Sequence, residues 1–431
     1  MVHAYVFAAP IRMARLTIER APAPALPRRF LLCMPWWGMF AGLLLILDGD
    51  ALLRSRWNPG TLALVHVFTL GVLGNAMFGS VLQFLPAAAG VRVRGLRWGR
   101  WLHGLFNLGS VLLVVGLHHH WRFALGAAGV LLPASFLLLA GMTLPGLLTA
   151  AAQRLLRAGF VVALLGAVFT ALLGGGLTLA LGGWLTWPTL ALTDVHASWG
   201  VLGWVVVLIA TVSRVVMPMF QGTGTLPSAV QTVWLVGVVI GLPLAAAWRL
   251  QQGGDIGLRL MLGVFGMLLA AALLWLQWRA PRPRRGPLLH GWRAGLCVLL
   301  AASLALLLGN GRLAAALGVG IALPLLVACM AMEIVAFIGW IELHRHCGRG
   351  VQVPGVQRLL PEGDKHRVLL AHVPLLLLPA AVLWPSPWLA RLAGVAVMLA
   401  WLGVWLAMHG VRRRARRFVA SREMSTMENN A

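Results

Sequence analysis

The stretch TLALVHVFTLGVLGNAMFGSVLQFLPAA, residues 61–88, decides the fold class. It contains no Asp, Glu, Lys or Arg, and His66 is its one titratable side chain. A helix needs about 20 apolar residues to cross a hydrocarbon layer roughly 30 Å thick, so this stretch is long enough to span a bilayer. Because unpaired backbone polar groups are costly in lipid, a spanning stretch of this kind must be helical.

Similar stretches recur along the chain, separated by short polar breaks. Of the 431 residues, 60% are apolar and 11% are charged, which is more apolar surface than one water-soluble core can hide. We predict an all-α polytopic transmembrane bundle of about twelve helices. A single membrane domain, 30–409, follows a basic segment, 1–29, and precedes a basic tail, 410–431. The predicted spans are 30–48, 61–88, 101–117, 123–145, 158–184, 191–215, 229–247, 256–277, 293–309, 314–343, 368–386 and 388–409.

The positive charges predict the orientation of these spans. The formal net charge is +24, and arginines cluster in every second loop and at both ends, as expected of cytoplasmic segments. We therefore predict a bacterial inner-membrane protein with both termini in the cytoplasm. A nucleic-acid-binding protein would gather its charge on one soluble face, so we expect the lipid bilayer and no nucleic acid as a partner. The clusters between spans are Arg92, Arg94, Arg97 and Arg100; Arg154 and Arg157; Arg279, Arg282, Arg284 and Arg285; and Arg345, Arg349, Arg358, Lys365 and Arg367. The other loops hold only scattered arginines, such as Arg54, Arg56, Arg122, Arg249, Arg312 and Arg391.

Two of the histidines inside predicted spans, His66 and His196, are the main candidates for function, because lipid penalises ionisable groups by roughly 2.5 kcal/mol or more. His66 in the second span and His196 in the sixth lie at comparable depth near the periplasmic side, and the tetrapeptide GVLG and a later proline follow each of them. These shared features indicate duplicated units four helices apart. Either histidine can bind a metal or simply bond a neighbouring carbonyl or hydroxyl. In the second span, Gly71, Gly74 and Gly79 would let another helix or a flat cofactor come close.

Two carboxylates complete the candidate site residues. Glu333 lies in the tenth span, where a third copy of the unit would fall, but towards the cytoplasmic side. It is either part of a proton path or the buried partner of a hydroxyl or backbone amide. Asp194 either orients His196 as a supporting carboxylate or caps the start of the sixth helix.

At His66 and His196 the chain resembles the heme–copper oxidase subunit I superfamily, and within it the oxidase-like membrane proteins related to the NnrS family. The resemblance covers most of the chain: twelve helices, cytoplasmic termini, and histidines on the second and sixth spans of a three-fold repeat of four helices. It implies that His66 is an axial ligand of heme b and that His196 stands where true oxidases have a copper ligand.

The chain departs from the oxidases at other positions. Oxidases carry a histidine pair on the seventh span and two histidines on the tenth, whereas spans 229–247 and 314–343 contain none here. The only tyrosine is Tyr5, so none lies near His196. Copper therefore lacks a full ligand set, and oxidase or nitric oxide reductase activity is not expected.

Three functions follow from these observations. The first is binding of heme b or a metal near the periplasmic side through His66 and His196, in respiratory or nitric-oxide-related physiology. The second is transport of a small solute, a metal or a proton-coupled substrate, with Glu333 in an internal polar path. The third is a non-catalytic assembly or interaction subunit of a respiratory complex, in which the histidines are structural.

Overall fold

The computed structural model describes residues 24–281, 284, 286–347 and 351–428, with side chains described up to residue 424. Residues 1–23 of the predicted basic segment 1–29 lie outside this part of the chain, as do Arg282, Arg285 and Arg349 of the arginine clusters. In the described part, twelve helices are long and apolar enough to cross a membrane. This finding confirms the predicted all-α bundle and makes the chain a multi-pass membrane protein.

The twelve helices are numbered α1 to α12 in chain order. They are α1 Ala25–Asp48, α2 Pro59–Ala88, α3 Leu96–His118, α4 Arg122–Thr149, α5 Arg154–Leu181, α6 Thr189–Gln221, α7 Ser228–Gln252, α8 Ile256–Trp278, α9 Pro287–Leu307, α10 Gly311–Cys347, α11 Glu362–Leu383 and α12 Pro387–Glu428.

Ion pairs identify the two ends of the bundle. At one end, which we call the termini side, Arg28 of α1 pairs with Glu342 of α10. At the opposite end, the far side, Asp48 of α1 lies 2.7 Å from His118 of α3. With twelve spans, the start of α1 and the end of α12 both lie on the termini side.

The predicted tail 410–431 is not a separate segment as far as the structure describes it. Helix α12 continues without a break to Glu428, because this stretch is amphipathic. Phe418 and Val419 pack against the core, and Arg414 donates hydrogen bonds to the Leu359 carbonyl and to Asp364. The end of the last span, predicted at residue 409, is the point where the sequence changes from apolar to polar, but the helix does not end there.

Helices α2, α6 and α10 form the centre of the bundle. In the most apolar part of each, 78%, 72% and 94% of the residues are buried, against 33–56% in the other nine helices. Each also contains a π-helical segment within roughly three turns of its far-side end. These segments are Val67–Gly74, Trp199–Val206 and Gly318–Ala322. Burial and π-helical segments thus recur every four helices, with the period predicted from the two histidines.

The contact between α1 and α12 is one of the tightest in the bundle, and glycine makes it possible. A Cβ atom at Gly42 would lie 2.5 Å from the Gly394 carbonyl oxygen and 2.6 Å from the Met398 amide nitrogen. Both of these are backbone atoms, so they cannot rotate away. The two helices can therefore approach this closely only with glycine at position 42.

We expect Gly42→Ala to lower the midpoint of thermal unfolding, at a cost of about 1–3 kcal/mol, because the added methyl group forces α1 and α12 apart. Gly141→Ala is the matched control, since no atom lies within 4 Å of a Cβ added to this exposed position of α4. There the better helix propensity of alanine should raise stability slightly. Equal midpoints for the two variants in detergent would contradict the close contact.

Candidate functional site

The two histidines predicted from the sequence lie next to each other. The ring centroids of His66 on α2 and His196 on α6 are 6.1 Å apart, and the ring planes are inclined by 27°. Both side chains are half-buried, and both lie near the far side, just before the π-helical segments of their helices. The fold thus brings together residues that are far apart in the sequence.

Backbone carbonyls orient both imidazoles. The Nδ1 atom of His66 lies 2.7 Å from the carbonyl oxygen of Leu62, and Nδ1 of His196 lies 3.0 Å from that of Thr170 on α5. A carbonyl oxygen only accepts hydrogen bonds, so each Nδ1 must donate, and Nε2 of the neutral ring keeps its lone pair. Neither Nε2 atom has a hydrogen-bond partner among the residues described. Histidines that bind metals are typically held in this way.

Small residues on α5 make room for the ring of His196. A Cβ atom at Gly174 would lie 2.8 Å from Cε1 of this imidazole. One turn before Gly174, the hydroxyl of Thr170 donates to the Gly166 carbonyl, 2.7 Å away, and so remains within its own helix. The Thr170 carbonyl accepts the hydrogen bond from His196.

The glycines of α2 are covered by side chains of neighbouring helices. Added Cβ atoms at Gly71, Gly74 and Gly79 would lie within 3 Å of Trp37, Phe106 and Leu31, respectively. Of the two interpretations based on the sequence, the structure therefore shows close helix packing at these glycines.

A polar network on the opposite flank stabilises the π-helical segment that follows His66. Asn75 donates to the carbonyl of Gly71 at 2.9 Å, and its side-chain amide exchanges two hydrogen bonds with that of Asn107 on α3, at 3.0 and 3.1 Å. Trp37 of α1 donates to the same Asn107 oxygen at 3.0 Å. This network was not predicted from the sequence, although two asparagines inside apolar spans are a signal that points to one.

The two imidazoles fit a group that takes two protein ligands. Two metal–nitrogen bonds of about 2.0–2.1 Å each, plus roughly 1 Å from each nitrogen to its ring centre, span about 6 Å. Among the described residues, no group of three or more His, Cys, Asp or Glu side chains is placed to hold a metal ion. His66 and His196 could therefore hold one heme between them, or one metal ion that takes further ligands from elsewhere.

Asp194 has neither of its predicted roles. Helix α6 begins at Thr189 and its N-cap position is Pro188, so Asp194 lies inside the helix and cannot cap it. Its buried carboxylate binds Arg56 at 2.7 Å and Arg249 at 2.9 Å, and it makes no hydrogen bond to His196. This carboxylate joins the loop between α1 and α2 to α6 and to the end of α7. The two arginines were expected only as scattered loop charges.

We expect Asp194→Ala to destabilise the protein by on the order of 2 kcal/mol, because Arg249, 14% exposed, would lose its carboxylate partner. The loss of stability should be smaller than for a fully buried ion pair, because the Arg56 side chain is 56% exposed and water can solvate its guanidinium instead. Asp255→Ala, which removes a half-exposed pair with Arg259, should change the unfolding midpoint much less. A similar loss in both variants would show that the Asp194 cluster has no special role.

Glu333 is buried in an ion pair. Its carboxylate lies 2.6 Å from Nζ of Lys365, and both side chains are at least 88% buried, with exposures of 7% and 12%. The sequence left open a proton path or a buried hydroxyl or backbone amide partner for Glu333, and the partner found is Lys365. Helix α11 begins at Glu362 and so brings Lys365, assigned to a loop from the sequence, into its first turn. Glu333 lies roughly 16 Å along the helix axis beyond the end of the π-helical segment of α10. It is therefore not part of the site formed by the histidines.

The chain was also compared with known proteins. It matches no protein-family model and no curated protein.

Proposed function

We propose that this membrane protein binds one heme b or one metal ion between α2 and α6, with Nε2 of His66 and Nε2 of His196 as its protein ligands. The observation that carries the proposal is the pair of imidazoles, 6.1 Å apart, each with Nδ1 bonded to a carbonyl oxygen. The resemblance to oxidase-like membrane proteins supports heme b. The donor set supports either heme or a single metal ion.

The chemistry of this site follows from its two ligands. Neutral imidazole is the commonest protein ligand for transition metals, and a hydrogen bond from Nδ1 to a carbonyl increases the basicity of Nε2. A heme or a single ion held by His66 and His196 would supply electron transfer or the binding of a further small ligand at this site. Neither arrangement forms a complete heme–copper centre for oxygen reduction. We therefore propose a role in respiratory or nitric-oxide-related physiology without oxidase activity.

The proposed location is the bacterial inner membrane. The arginine-rich loops all connect helices at the termini side, and we propose that this side faces the cytoplasm. The histidines then lie towards the periplasm.

Transport has less support in the structure than ligand binding. An internal polar path needs an ionisable group that is free to exchange a proton or a solute, whereas Glu333 is paired with Lys365 and Asp194 with two arginines. An assembly subunit with purely structural histidines would leave both Nε2 atoms without ligands, and the titration below separates this alternative from our proposal.

Titration of the full chain, purified in detergent and stripped of bound metal and heme, tests the proposal. We expect hemin, or Co²⁺ as a probe of a metal site, to bind with saturation at one equivalent per chain. His372→Ala is the control, because His372 on α11 is buried and bonds the Val368 carbonyl at 2.7 Å in the same way, but belongs to a different part of the bundle. The proposal fails if neither probe reaches saturation at one equivalent.

A further inference from the structure

Three arginines lie together where α1, α10 and α12 meet at the termini side. We call Arg28 of α1 and Arg412 and Arg416 of α12 the arginine triad. The charges of Arg28, Arg416 and Glu342 all act on Arg412, and Glu342 is already paired with Arg28. Guanidinium groups stay protonated in proteins, so three positive charges face one carboxylate. The triad lies at the opposite end of the bundle from the histidine pair, and nothing below depends on the proposed function.

Two members of the triad form no ion pair or hydrogen bond with the residues described. Arg414 of the same helix donates hydrogen bonds to the Leu359 carbonyl and to Asp364, whereas neither Arg412 nor Arg416 has such a partner in the described part of the chain. Arg412 is nevertheless half-buried, so water solvates its guanidinium only in part. Positive charges this close repel one another, and an anion bound between them would offset the repulsion.

An aromatic surface adjoins the triad. Trp36 of α1 and Trp405 of α12 contact each other edge to face, with ring centroids 5.7 Å apart and ring planes inclined by 72°, and Trp36 is 57% exposed. Trp405 precedes Arg412 by seven residues, or roughly 10 Å along the axis, and residues seven apart lie on the same face of a helix. Along this face, the surface therefore changes from aromatic to positively charged.

The position of this surface in the membrane favours an amphiphile over a soluble anion. The first predicted span begins at residue 30 and the last ends at residue 409, so Arg28 and Arg412 lie within one turn of the apolar core, at the level of the lipid headgroups. The tryptophans lie beside the upper part of the acyl chains. An inorganic anion would use the arginines and gain nothing from the aromatic surface.

We propose that the arginine triad and the two tryptophans form a binding site for one anionic phospholipid, such as a phosphatidylglycerol. The guanidinium groups of Arg28 and Arg412 donate hydrogen bonds to the phosphate, a geometry that suits arginine, and Arg416 adds positive charge. One acyl chain lies against Trp36 and Trp405. A zwitterionic lipid brings its own ammonium group close to the triad, so it binds less well.

Native mass spectrometry of the delipidated full chain in detergent, titrated with dioleoylphosphatidylglycerol or dioleoylphosphatidylcholine, tests the site. We expect phosphatidylglycerol to bind at least about fivefold more tightly, since one arginine near an anionic headgroup is worth about that factor. Arg412→Gln combined with Arg416→Gln should lower the affinity for phosphatidylglycerol by at least about tenfold and abolish the preference. Arg413→Gln combined with Arg417→Gln is the matched control. It makes the same charge change with the same spacing at exposed positions on a neighbouring face of α12, and it should bind like the unaltered chain.

Two further measurements separate a lipid site from a site for free phosphate. Trp36→Ala should weaken phosphatidylglycerol binding severalfold, whereas Trp388→Ala, at a 72% exposed position near the far-side end of α12, should not. Excess inorganic phosphate should leave the lipid bound.

Equal affinity of the unaltered chain for the two lipids would overturn the proposal, even if an arginine variant does not fold. An equal loss of affinity in both double variants would also overturn it. So would unchanged binding in Trp36→Ala, or displacement of the lipid by inorganic phosphate.

Discussion

Glu333→Gln is expected to lower the free energy of unfolding by about 3–5 kcal/mol, because it leaves the Lys365 ammonium buried without its carboxylate. The two groups are 2.6 Å apart, and Lys365 is 12% exposed, so water can replace little of the lost interaction. Reversible unfolding in mixed micelles, or the midpoint of thermal unfolding in detergent, measures the loss.

A second substitution shows whether the buried charge is the cause. Glu333→Gln combined with Lys365→Met removes both charges, so it should regain most of the lost stability. Arg367→Ala is the control on the same helix: Arg367 is 83% exposed in its pair with Asp364, and its loss should not change stability measurably. A double variant as unstable as the sum of the two single variants would contradict this explanation.

His66→Ala and His196→Ala are each expected to weaken binding of the heme or metal by more than about 100-fold. Loss of a supporting residue around a metal ligand already costs 10- to 100-fold, and these substitutions remove the ligand itself. Absorbance titration with hemin, or with Co²⁺, measures the affinity of each variant, and His372→Ala should bind like the unaltered chain.

The double variant shows whether the two histidines hold one group together. If both imidazoles bind the same heme or ion, His66→Ala combined with His196→Ala should be little worse than either single variant, because residues that act as a unit are not additive. Additive losses would indicate two separate sites. Unchanged affinity in either single variant would show that its histidine is not a ligand.

The fold could be predicted almost entirely from the sequence. Apolar stretches between arginine-rich and arginine-poor loops were sufficient to count twelve helices. The predicted helix ends were wrong where a helix extends beyond its apolar stretch. Lys365 was assigned to a loop although α11 begins at Glu362, and α12 continues past residue 409 through an amphipathic stretch.

The candidate site could be predicted only in part. A histidine in an apolar span is conspicuous, so His66 and His196 could be found, and their similar depth suggested a repeat. Their contact depends on how α2 and α6 pack, which no local pattern encodes. The arginine partners of Asp194 were missed because Arg56 and Arg249 lie at the edges of the apolar runs, where an arginine normally has no buried partner.

The π-helical segments also could not be predicted from the sequence. Glycines lie in the three segments near the far side, with Gly71 and Gly74 in α2, and Gly200 and Gly203 in α6. In α10 the segment contains Gly318 and Gly320. Glycine relaxes backbone constraints, but an extra residue in a helical turn depends on tertiary contacts such as the Asn75–Asn107 network. The glycines are visible in the sequence, but the change from α-helical to π-helical geometry could not be predicted from them.

The role of the two histidines is tested most directly by measuring the heme and transition-metal content of the purified protein. The full chain would be purified in mild detergent from cells supplied with both heme and metals. We predict one heme or one metal ion per chain in the unaltered protein and in His372→Ala, and neither in His66→Ala or His196→Ala. An unaltered protein with no heme and no stoichiometric metal, or equal content in His66→Ala, would contradict the proposed site.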